Sequence, residues 1–313
     1  NMKLNRTSVT EFLLMEFSDD YGMQILHYVM FLFVYIIAVV GNLIILLAVV
    51  LNNNLQTPMY FFLANLSLSD ICFISTTVPK SIATSVANNR LISFAGCVAQ
   101  VFLVITFTGS ESTLLTIMAY DRYVAICKPL QYNIIMNRAV CIQMAAASWI
   151  FNLVHAALHT SMTFLLNFCG SNFIQQYFCD IPQLQKISCT DTRTHQILIF
   201  ALGMILDSSI GGSIFVSYGY ILSAVLRIPT AQGRYKAFST CTPHLLVFTL
   251  FMVTAVFSYM RPKSLSSPTV DLISAVLYTV LPPVLNPIIY SLRNKDIQEA
   301  MKKMPKQIKQ LLT

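Results

Sequence analysis

Apolar residues fall into seven long runs separated by short polar segments. Each run holds about 20 residues with few charges, and an α-helix rising about 1.5 Å per residue needs about 20 to cross the hydrocarbon core of a membrane. The pattern therefore predicts seven membrane-spanning helices, numbered here as spans one to seven. Their approximate bounds are Ile25–Leu51, Pro58–Pro79, Cys97–Ala125, Ala139–Leu166, His195–Leu226, Ala237–Met260 and Val270–Leu292.

We expect one all-α membrane domain over residues 1–313, a seven-transmembrane helix bundle. It would comprise an amino-terminal segment 1–24, a helical bundle 25–292 and a tail 293–313. The second outer loop, Asn167 to Thr194, is long enough to be functional, and its three cysteines favour an ordered structure. In the tail, apolar residues at helical spacing among lysines predict an amphipathic helix on the anionic inner leaflet: Ile297, Met301, Met304 and Ile308.

Composition excludes a soluble protein, since 56% of the 313 residues are hydrophobic and only 11% are charged. Lys and Arg concentrate after spans three, five and seven, so these ends face the cytoplasm and the amino terminus lies outside. Because the basic residues are divided among short loops, the net charge of +7 does not indicate nucleic-acid binding. Asn5 begins a glycosylation sequon on the predicted outer side.

Eight cysteines divide between the two sides of the predicted bundle. Four of them lie on the outer side, where disulfides persist, and allow three pairings. The other four lie in spans or near the cytoplasm and should stay reduced. The outer set is Cys97, Cys169, Cys179 and Cys189, and the inner set is Cys72, Cys127, Cys141 and Cys241.

Acidic residues inside spans require an explanation, because an ionisable group in a membrane is costly without partners. Asp70 and Glu111 lie at mid-depth of spans two and three, with Asn42 and Asn286 at comparable depth. These groups form either a cation site, for sodium or a shared proton, or a hydrogen-bonded latch between helices. Asp207 in span five is a protonated packing residue, a polar contact lining the bundle, or a partner for a cationic ligand.

Other candidate chemistry is weaker. His155 and His159 are four residues apart, a spacing that can bind metal on one helical face. Without an evident third ligand, packing or a hydrogen-bonding role is favoured. Since the sequence shows no nucleophile triad, phosphate-binding glycine loop or zinc motif, it does not indicate an enzyme.

The stretch MAYDRYVAICKPLQY places Asp121 beside Arg122 at the cytoplasmic end of span three. A neighbouring acid can hold the arginine in one state and release it in another, which makes the pair a candidate switch. Alternatively, Arg122 anchors the helix at the lipid headgroups.

Six further stretches are GN (41–42), PMYFFLANLSLSD (58–70), MAYDRYVAIC (118–127), SY (217–218), KAFSTCTPHL (236–245) and NPIIYSLRNKDI (286–297). Together they resemble vertebrate olfactory receptors, which are rhodopsin-like G-protein-coupled receptors. The stretches PKSIA, GCVAQVF and FCDIPQL resemble the family 14 branch.

The resemblance implies roles for matching residues. It implies disulfides between Cys97 and Cys179 and between Cys169 and Cys189. Arg122 would contact the α-subunit of a stimulatory G protein, which would raise cyclic AMP. The implied coupling residues around it are Asp121, Tyr123, Tyr218 and Tyr290, and the implied buried polar cluster is Asn42, Asp70, Glu111 and Asn286.

The resemblance also implies an odorant pocket in the outer half of the bundle, suited to a small neutral volatile molecule. Met252 departs from the family pattern, because a tyrosine commonly follows the phenylalanine in the middle of span six. A transporter or ion channel using Asp70 and Glu111 is the alternative, although inverted-repeat symmetry is lacking. The implied pocket residues are Val104, Ile105, Thr108, Gly109, Leu202, Met252, Val256, Tyr259 and Thr279.

Overall fold

The structure, a computed structural model, describes residues 9–17, 20–87, 89–168, 171–189, 193–260 and 267–312. Most of this part is helical. In chain order the α-helices are α1 Tyr21–Leu51, α2 Pro58–Ala87, α3 Phe94–Cys127, α4 Tyr132–Ile135, α5 Arg138–Phe164, α6 Ile181–Lys186, α7 Arg193–Leu226, α8 Ala231–Tyr259, α9 Pro268–Arg293 and α10 Lys295–Leu312.

Seven of these helices are long and apolar enough to cross a membrane, which confirms the predicted seven-span bundle. They are α1, α2, α3, α5, α7, α8 and α9, in the order of spans one to seven. Large apolar side chains such as Val50, Phe215 and Phe33 are exposed on them, as expected of surfaces that face lipid. Helix α2 continues through Pro79, the approximate end predicted for span two, to Ala87. Proline is tolerated inside membrane helices where neighbouring groups satisfy the freed carbonyl.

Side-chain caps explain where several helices begin. A capping side chain accepts a hydrogen bond from a backbone N–H in the first turn, which no carbonyl of the helix can reach. Asp20 caps α1 in this way, at 2.9 Å from the nitrogen of Met23. The corresponding caps of α3, α5, α8 and α9 are Ser93, Asn137, Thr230 and Ser267.

Helices α1 and α9 contact each other closely where α9 contains prolines. The amide of Asn42 donates to the carbonyl of Pro283 at 2.8 Å, satisfying an acceptor in the proline-interrupted part of α9. A Cβ at Gly41 would lie 3.1 Å from the Pro287 ring, which is too close for an ordinary contact. Glycine at position 41 therefore lets the two helices approach.

The tail forms one helix, α10, which packs against the cytoplasmic end of the bundle. Ile297 and Ala300 are buried there, whereas Lys302 and Lys303 are exposed. The hydroxyl of Tyr60 in α2 donates to Asp296 at 2.8 Å and helps to fix the start of the helix. The amphipathic pattern predicted from sequence is therefore present, and the helix continues through Pro305 to Leu312.

A small three-stranded sheet covers the opposite end of the bundle, called here the outer end. Strand β1 (Glu11–Leu14) lies between β2 (Leu91–Ser93) and β3 (Phe173–Ile174). It pairs antiparallel with β2 and parallel with β3. The sequence analysis did not anticipate these strands, because each has only two to four residues and is formed by pairing between distant segments.

Candidate functional site

The second outer loop is tied to the bundle at Cys179. A disulfide joins Cys179 to Cys97 at the start of α3, with 5.6 Å between their Cα atoms. The backbone N–H of Cys179 donates to the Gln100 side chain at 2.8 Å, and Gln100 donates to the carbonyl of Thr76 in α2 at 3.0 Å. The loop is thereby positioned on spans two and three.

The remaining cysteine predictions have different outcomes. Cys189 is in a disulfide, and its expected partner Cys169 lies outside the described residues, as does Asn5. The four inner cysteines are free thiols, in agreement with the prediction.

Two loop residues before the disulfide, Tyr177 and Phe178, point into the bundle and are almost fully buried. They pack with side chains of spans two, three and seven in what we call the outer aromatic cluster. Sequence reasoning missed this contribution, although the position of both residues next to Cys179 is a usable signal. The cluster consists of Phe73, Val104, Tyr177, Phe178, Leu272, Ala275 and Tyr278.

The Tyr177 hydroxyl is hydrogen-bonded to Thr279, one of the expected pocket residues. The single Thr279 proton is directed to the carbonyl of Ala275 at 2.8 Å, so Tyr177 donates and Thr279 accepts. Thr279 is completely buried beneath the loop. A ligand that contacts Thr279 must therefore displace Tyr177 or bind beside it.

The structure does not bring all expected pocket residues onto one surface. Val104 belongs to the outer aromatic cluster, while Ile105 packs around the disulfide. Thr108 has a buried hydroxyl with no hydrogen-bond partner in the part of the chain that the structure describes. At Gly109 an added Cβ would collide with Asn152 of α5, so this position faces a helix contact.

The expected pocket residues of spans five and six also separate. Met252 packs against the cytoplasmic half of the core, which also contains Phe251 and Tyr290. Val256 and Tyr259 are 44% and 43% exposed. The side chain of Leu202 lies outside what the structure describes, as does that of Asp207.

Asp180, which the sequence analysis did not select, hydrogen-bonds with the Tyr259 hydroxyl between the outer loop and span six. Burial raises the pKa of Asp180 to about 7, against the lowering effects of the Ile181 N–H, Tyr259 and Lys186. This carboxyl group can therefore gain or lose a proton near neutral pH.

A buried polar centre lies midway through the bundle. The Asn286 amide donates to both Asp70 oxygens, at 3.2 and 3.0 Å, and the Glu111 carboxyl group is next to that of Asp70. All three side chains are at most 3% exposed. The four residues that the sequence placed at one depth thus include two carboxyl groups in direct proximity.

This centre has more acceptors than donors. Neither Glu111 oxygen has a hydrogen-bond donor within the described part of the chain, and neither do the side-chain oxygens of Asn42 and Asn286. Buried acceptors without donors are costly. Such a set of oxygens suits a cation or a bridging proton.

At the cytoplasmic end, Asp121 holds the side chain of Arg122. Nε of Arg122 donates to Asp121 at 3.0 Å, and a second guanidinium nitrogen donates to the same oxygen. The Tyr132 hydroxyl of α4 donates to the other Asp121 oxygen at 2.8 Å. Asp121 is fully buried, and the Arg122 side chain is only 16% exposed.

Tyr132 was not among the expected coupling residues. Burial raises its pKa, so the hydroxyl remains a donor at physiological pH. Of the expected coupling residues, Tyr218 and Tyr290 lie close enough to Arg122 to interact with its charge. Tyr123 packs on Tyr220 of span five instead, with 5.7 Å between the ring centroids.

His244 connects spans three, five and six deeper in the bundle than Arg122. His244 of α8 is completely buried, with Nδ1 at 2.7 Å from the Tyr218 hydroxyl and Nε2 at 2.8 Å from the carbonyl of Leu115 in α3. A carbonyl only accepts, so Nε2 carries the proton and Tyr218 donates to Nδ1. Sequence reasoning quoted the surrounding motif but assigned no role to this residue.

His155 and His159, four residues apart in α5, lie side by side. The rings of His155 and His159 lie 4.2 Å apart, and Phe151 stacks on His155. Among the described residues, no three His, Cys, Asp or Glu side chains come together where they could hold a metal ion.

Seven spans, a disulfide from span three to the following outer loop, and an Asp–Arg pair at the cytoplasmic end are typical of a rhodopsin-like G-protein-coupled receptor. A family model described as Olfactory receptor matches residues 31–307. Among curated relatives, human olfactory receptor 14A16 is 48% identical over 297 residues, which is 95% of this chain and 96% of the relative. Human olfactory receptor 14C36 is 48% identical, covering 97% of both chains, and gorilla olfactory receptor 1G1 is 45% identical, covering 96% of both.

The chain belongs to the olfactory receptor family. It is an odorant-activated G-protein-coupled receptor, a multi-pass protein of the plasma membrane, and not an enzyme. The resemblance to family 14 members is confirmed, whereas the comparisons give no support to a transporter or channel.

Proposed function

We propose that a small, largely apolar odorant binds in the outer half of the bundle and shifts spans five and six, so that Arg122 engages a stimulatory G protein and cyclic AMP rises. The observation that carries this proposal is the sequestered state of Arg122. Its guanidinium is held by the buried Asp121 and is largely shielded from solvent. A G protein can reach it only after the cytoplasmic ends of the helices separate.

The outer half of the bundle contains side chains suited to binding a small, largely apolar odorant. Burying apolar ligand surface contributes about 25 cal/mol per Å², and one or two hydrogen bonds fix the orientation. The hydroxyl of Thr108, which has no hydrogen-bond partner among the described residues, is a candidate for such a bond. Val104 and the neighbouring aromatic rings provide apolar contacts. A small neutral volatile molecule with one polar group fits this composition.

A continuous set of contacts leads from this region toward Arg122. In the outer aromatic cluster, Tyr278 contacts Phe251 of span six, with 6.3 Å between ring centroids. Phe251 belongs to the core of the cytoplasmic half, which borders Tyr218. Tyr218 in turn is held by His244. An odorant changes activity only if it binds two arrangements of these helices with different affinity.

We further propose that Asp70 and Glu111 hold a sodium ion or a shared proton that stabilises the inactive arrangement. The donor-poor set of buried oxygens supports this role. Because a cation there would contact spans two and three, and Asn286 would link it to span seven, its loss on activation would free these helices to move.

The test uses an odorant panel read by cyclic AMP in cells that express the chain with the stimulatory olfactory G protein. Arg122→Ala should abolish the response of every odorant that activates the wild type, with surface expression retained. Arg138→Ala is the matched control, since Arg138 is exposed at the start of α5. A retained response in Arg122→Ala would contradict the proposed coupling, and odorant-evoked whole-cell current without G protein would support a channel instead.

A further inference from the structure

The amino-terminal segment lies across the outer end of the bundle and is bonded to the second outer loop. We call residues 11–17 the amino-terminal strap. Its strand β1 pairs parallel with β3 of the loop, which ends three residues before Tyr177. Closer to Tyr177, the backbone N–H of Met15 donates to the carbonyl of Gln176 at 3.0 Å. The strap therefore holds the backbone of the loop directly before Tyr177.

Polar contacts fix the end of the strap on the bundle. The Glu16 carboxylate, only 8% exposed, forms an ion pair with Arg90, which precedes β2. The Gln24 side chain in α1 donates to the same Glu16 oxygen at 3.3 Å. Because two side chains hold Glu16, the ring of the next residue, Phe17, has a defined position.

Phe17 packs against the ring of Tyr177. Its ring centroid lies 5.7 Å from that of Tyr177 and 5.1 Å from that of Phe31 in α1. Phe31 contacts Tyr177 as well, at 5.8 Å, so the three rings form one aromatic group. The cavity that Phe17 and Tyr177 both line has a volume of only about 10 Å³, which is room for one water molecule at most. The Tyr177 ring therefore has little space to move toward the strap while Phe17 stays in place.

The position of Tyr177 is important because its hydroxyl covers Thr279. The hydroxyl donates to Thr279, and the two residues are 2% and 0% exposed. A small odorant can bind beside Tyr177, whereas a longer odorant reaches Thr279 only by displacing the tyrosine ring. Since selectivity is a difference between two binding free energies, the cost of moving this ring separates odorants by size.

We propose that Phe17 is a positioning residue for odorant recognition, which holds Tyr177 over Thr279 and thereby limits the size of the odorants that the receptor detects. This inference rests on the proposed binding of odorants in the outer half of the bundle. It extends the recognition site to the amino-terminal strap, which contains none of the expected pocket residues. The preferred ligands are compact molecules that fit beside Tyr177, and longer homologues bind more weakly.

The first arm of the test measures how firmly Phe17 holds Tyr177 in the absence of odorant. Hydroxyl-radical footprinting of the full-length receptor in nanodiscs, read by mass spectrometry, gives the oxidation rate of the Tyr177 side chain. Phe17→Ala removes the ring partner on the strap, and loss of an aromatic pair shifts such an equilibrium by roughly two- to tenfold. Oxidation of Tyr177 should rise by a similar factor.

Phe94→Ala is the matched control for this measurement. Phe94 is also half-buried at the outer end, but it packs on Phe12 and Phe164 near the disulfide. Its removal should leave the oxidation of Tyr177 unchanged. Phe17→Leu, which keeps most of the side-chain bulk, should give a smaller rise than Phe17→Ala. Equal oxidation of Tyr177 in the wild type and Phe17→Ala, or an equal rise in Phe94→Ala, would overturn the proposal.

The second arm reads size selectivity in the cyclic AMP assay. An odorant that activates the wild type is lengthened one methylene at a time, and each homologue is titrated on every variant. In Phe17→Ala, the concentration for half-maximal response should fall severalfold for the longer homologues and stay unchanged for the shortest. Loss of stability alone would lower the maximal response to all homologues alike, so a changed order of potency identifies positioning.

An equal shift for every homologue, or the same change of order in Phe94→Ala, would also contradict the proposal. The two arms separate its failure from that of the proposed function. If no odorant gives a response that depends on Arg122, the proposed function fails, and footprinting still decides whether Phe17 holds Tyr177 in place.

Discussion

His244 fixes Tyr218 in the interior of the bundle, with Nδ1 2.7 Å from the tyrosine hydroxyl and the two rings stacked at 5.6 Å. The same histidine is bonded through Nε2 to the carbonyl of Leu115. One side chain of span six therefore connects spans three and five in the closed arrangement. Movement of span six away from span three must break the bond to Leu115.

His244→Ala should raise cyclic AMP production in the absence of odorant. Of the two bonds of His244, only that to Leu115 must break when span six moves away from span three. Removing about 1 kcal/mol from the closed arrangement shifts a two-state equilibrium about fivefold, so basal activity should rise by about that factor. The measurement is basal cyclic AMP normalised to surface expression. His155→Ala, in span four and outside this connection, is the control. Unchanged basal activity in His244→Ala would show that the bond does not restrain activation.

Tyr132→Phe should also raise basal activity, but by a smaller factor. The substitution removes the donor at 2.8 Å from Asp121 and leaves the bonds between Asp121 and Arg122 in place. A less restrained Asp121 holds Arg122 less firmly. Tyr120→Phe at the same end of α3 is the control, and a basal signal no higher than that control would count against a role for Tyr132.

Asp70→Asn and Glu111→Gln should each change basal activity and abolish its dependence on sodium. Each substitution removes one of two adjacent carboxyl groups, and the remaining acid cannot hold a cation or share a proton as the pair does. Cyclic AMP is measured while extracellular sodium is replaced by choline. If both variants retain wild-type basal activity and sodium dependence, the pair serves helix packing only.

Asp180 should make receptor stability depend on pH. Its pKa rises from 3.8 to about 7 on folding, because the ionised form is disfavoured by burial. Between these values the folded protein holds a proton that the unfolded chain has released, so stability falls as the pH rises through this window. The contribution of Asp180 to the thermal unfolding midpoint should therefore be smaller at pH 7.5 than at pH 5.

Because the amide does not titrate, the unfolding midpoint of Asp180→Asn relative to the wild type should be lower at pH 5 than at pH 7.5. Glu299→Gln, on the exposed face of α10, should preserve the wild-type pH dependence. Tyr259 and Tyr177 are the tyrosines that interact with Asp180, and tyrosine side chains ordinarily titrate well above this pH range. An unaltered pH dependence in Asp180→Asn would exclude this carboxyl group as its source.

The sequence predicted the seven spans because the cost of polar groups in a membrane leaves long apolar runs that are visible without any tertiary information. Span ends were less certain, as Pro79 shows, since the helix continues through a residue that usually ends helices. The outer sheet was not predicted, because pairing of β1 with β3 depends on contacts between residues about 160 positions apart.

The same limit applies to the candidate site residues: pairs adjacent in sequence could be predicted, whereas contacts between distant segments could not. Asp121 and Arg122 are adjacent in sequence, so their pairing could be anticipated. The bond between Tyr177 and Thr279 joins a loop to span seven and depends on how the loop folds into the bundle. Gly109 faces Asn152 because of how α3 is rotated about its own axis. The sequence indicates how far along the helix a residue lies, but it does not define this rotation.

Odorant binding should open the cytoplasmic end of the bundle. Spin labels at Ile134 in α4 and Tyr235 in α8, which are both 75% exposed, report the distance between these elements in the full-length receptor. Adding an activating odorant and the stimulatory G protein should lengthen this distance by several ångströms. An odorant that raises cyclic AMP through this receptor and leaves the distance distribution unchanged would contradict the account.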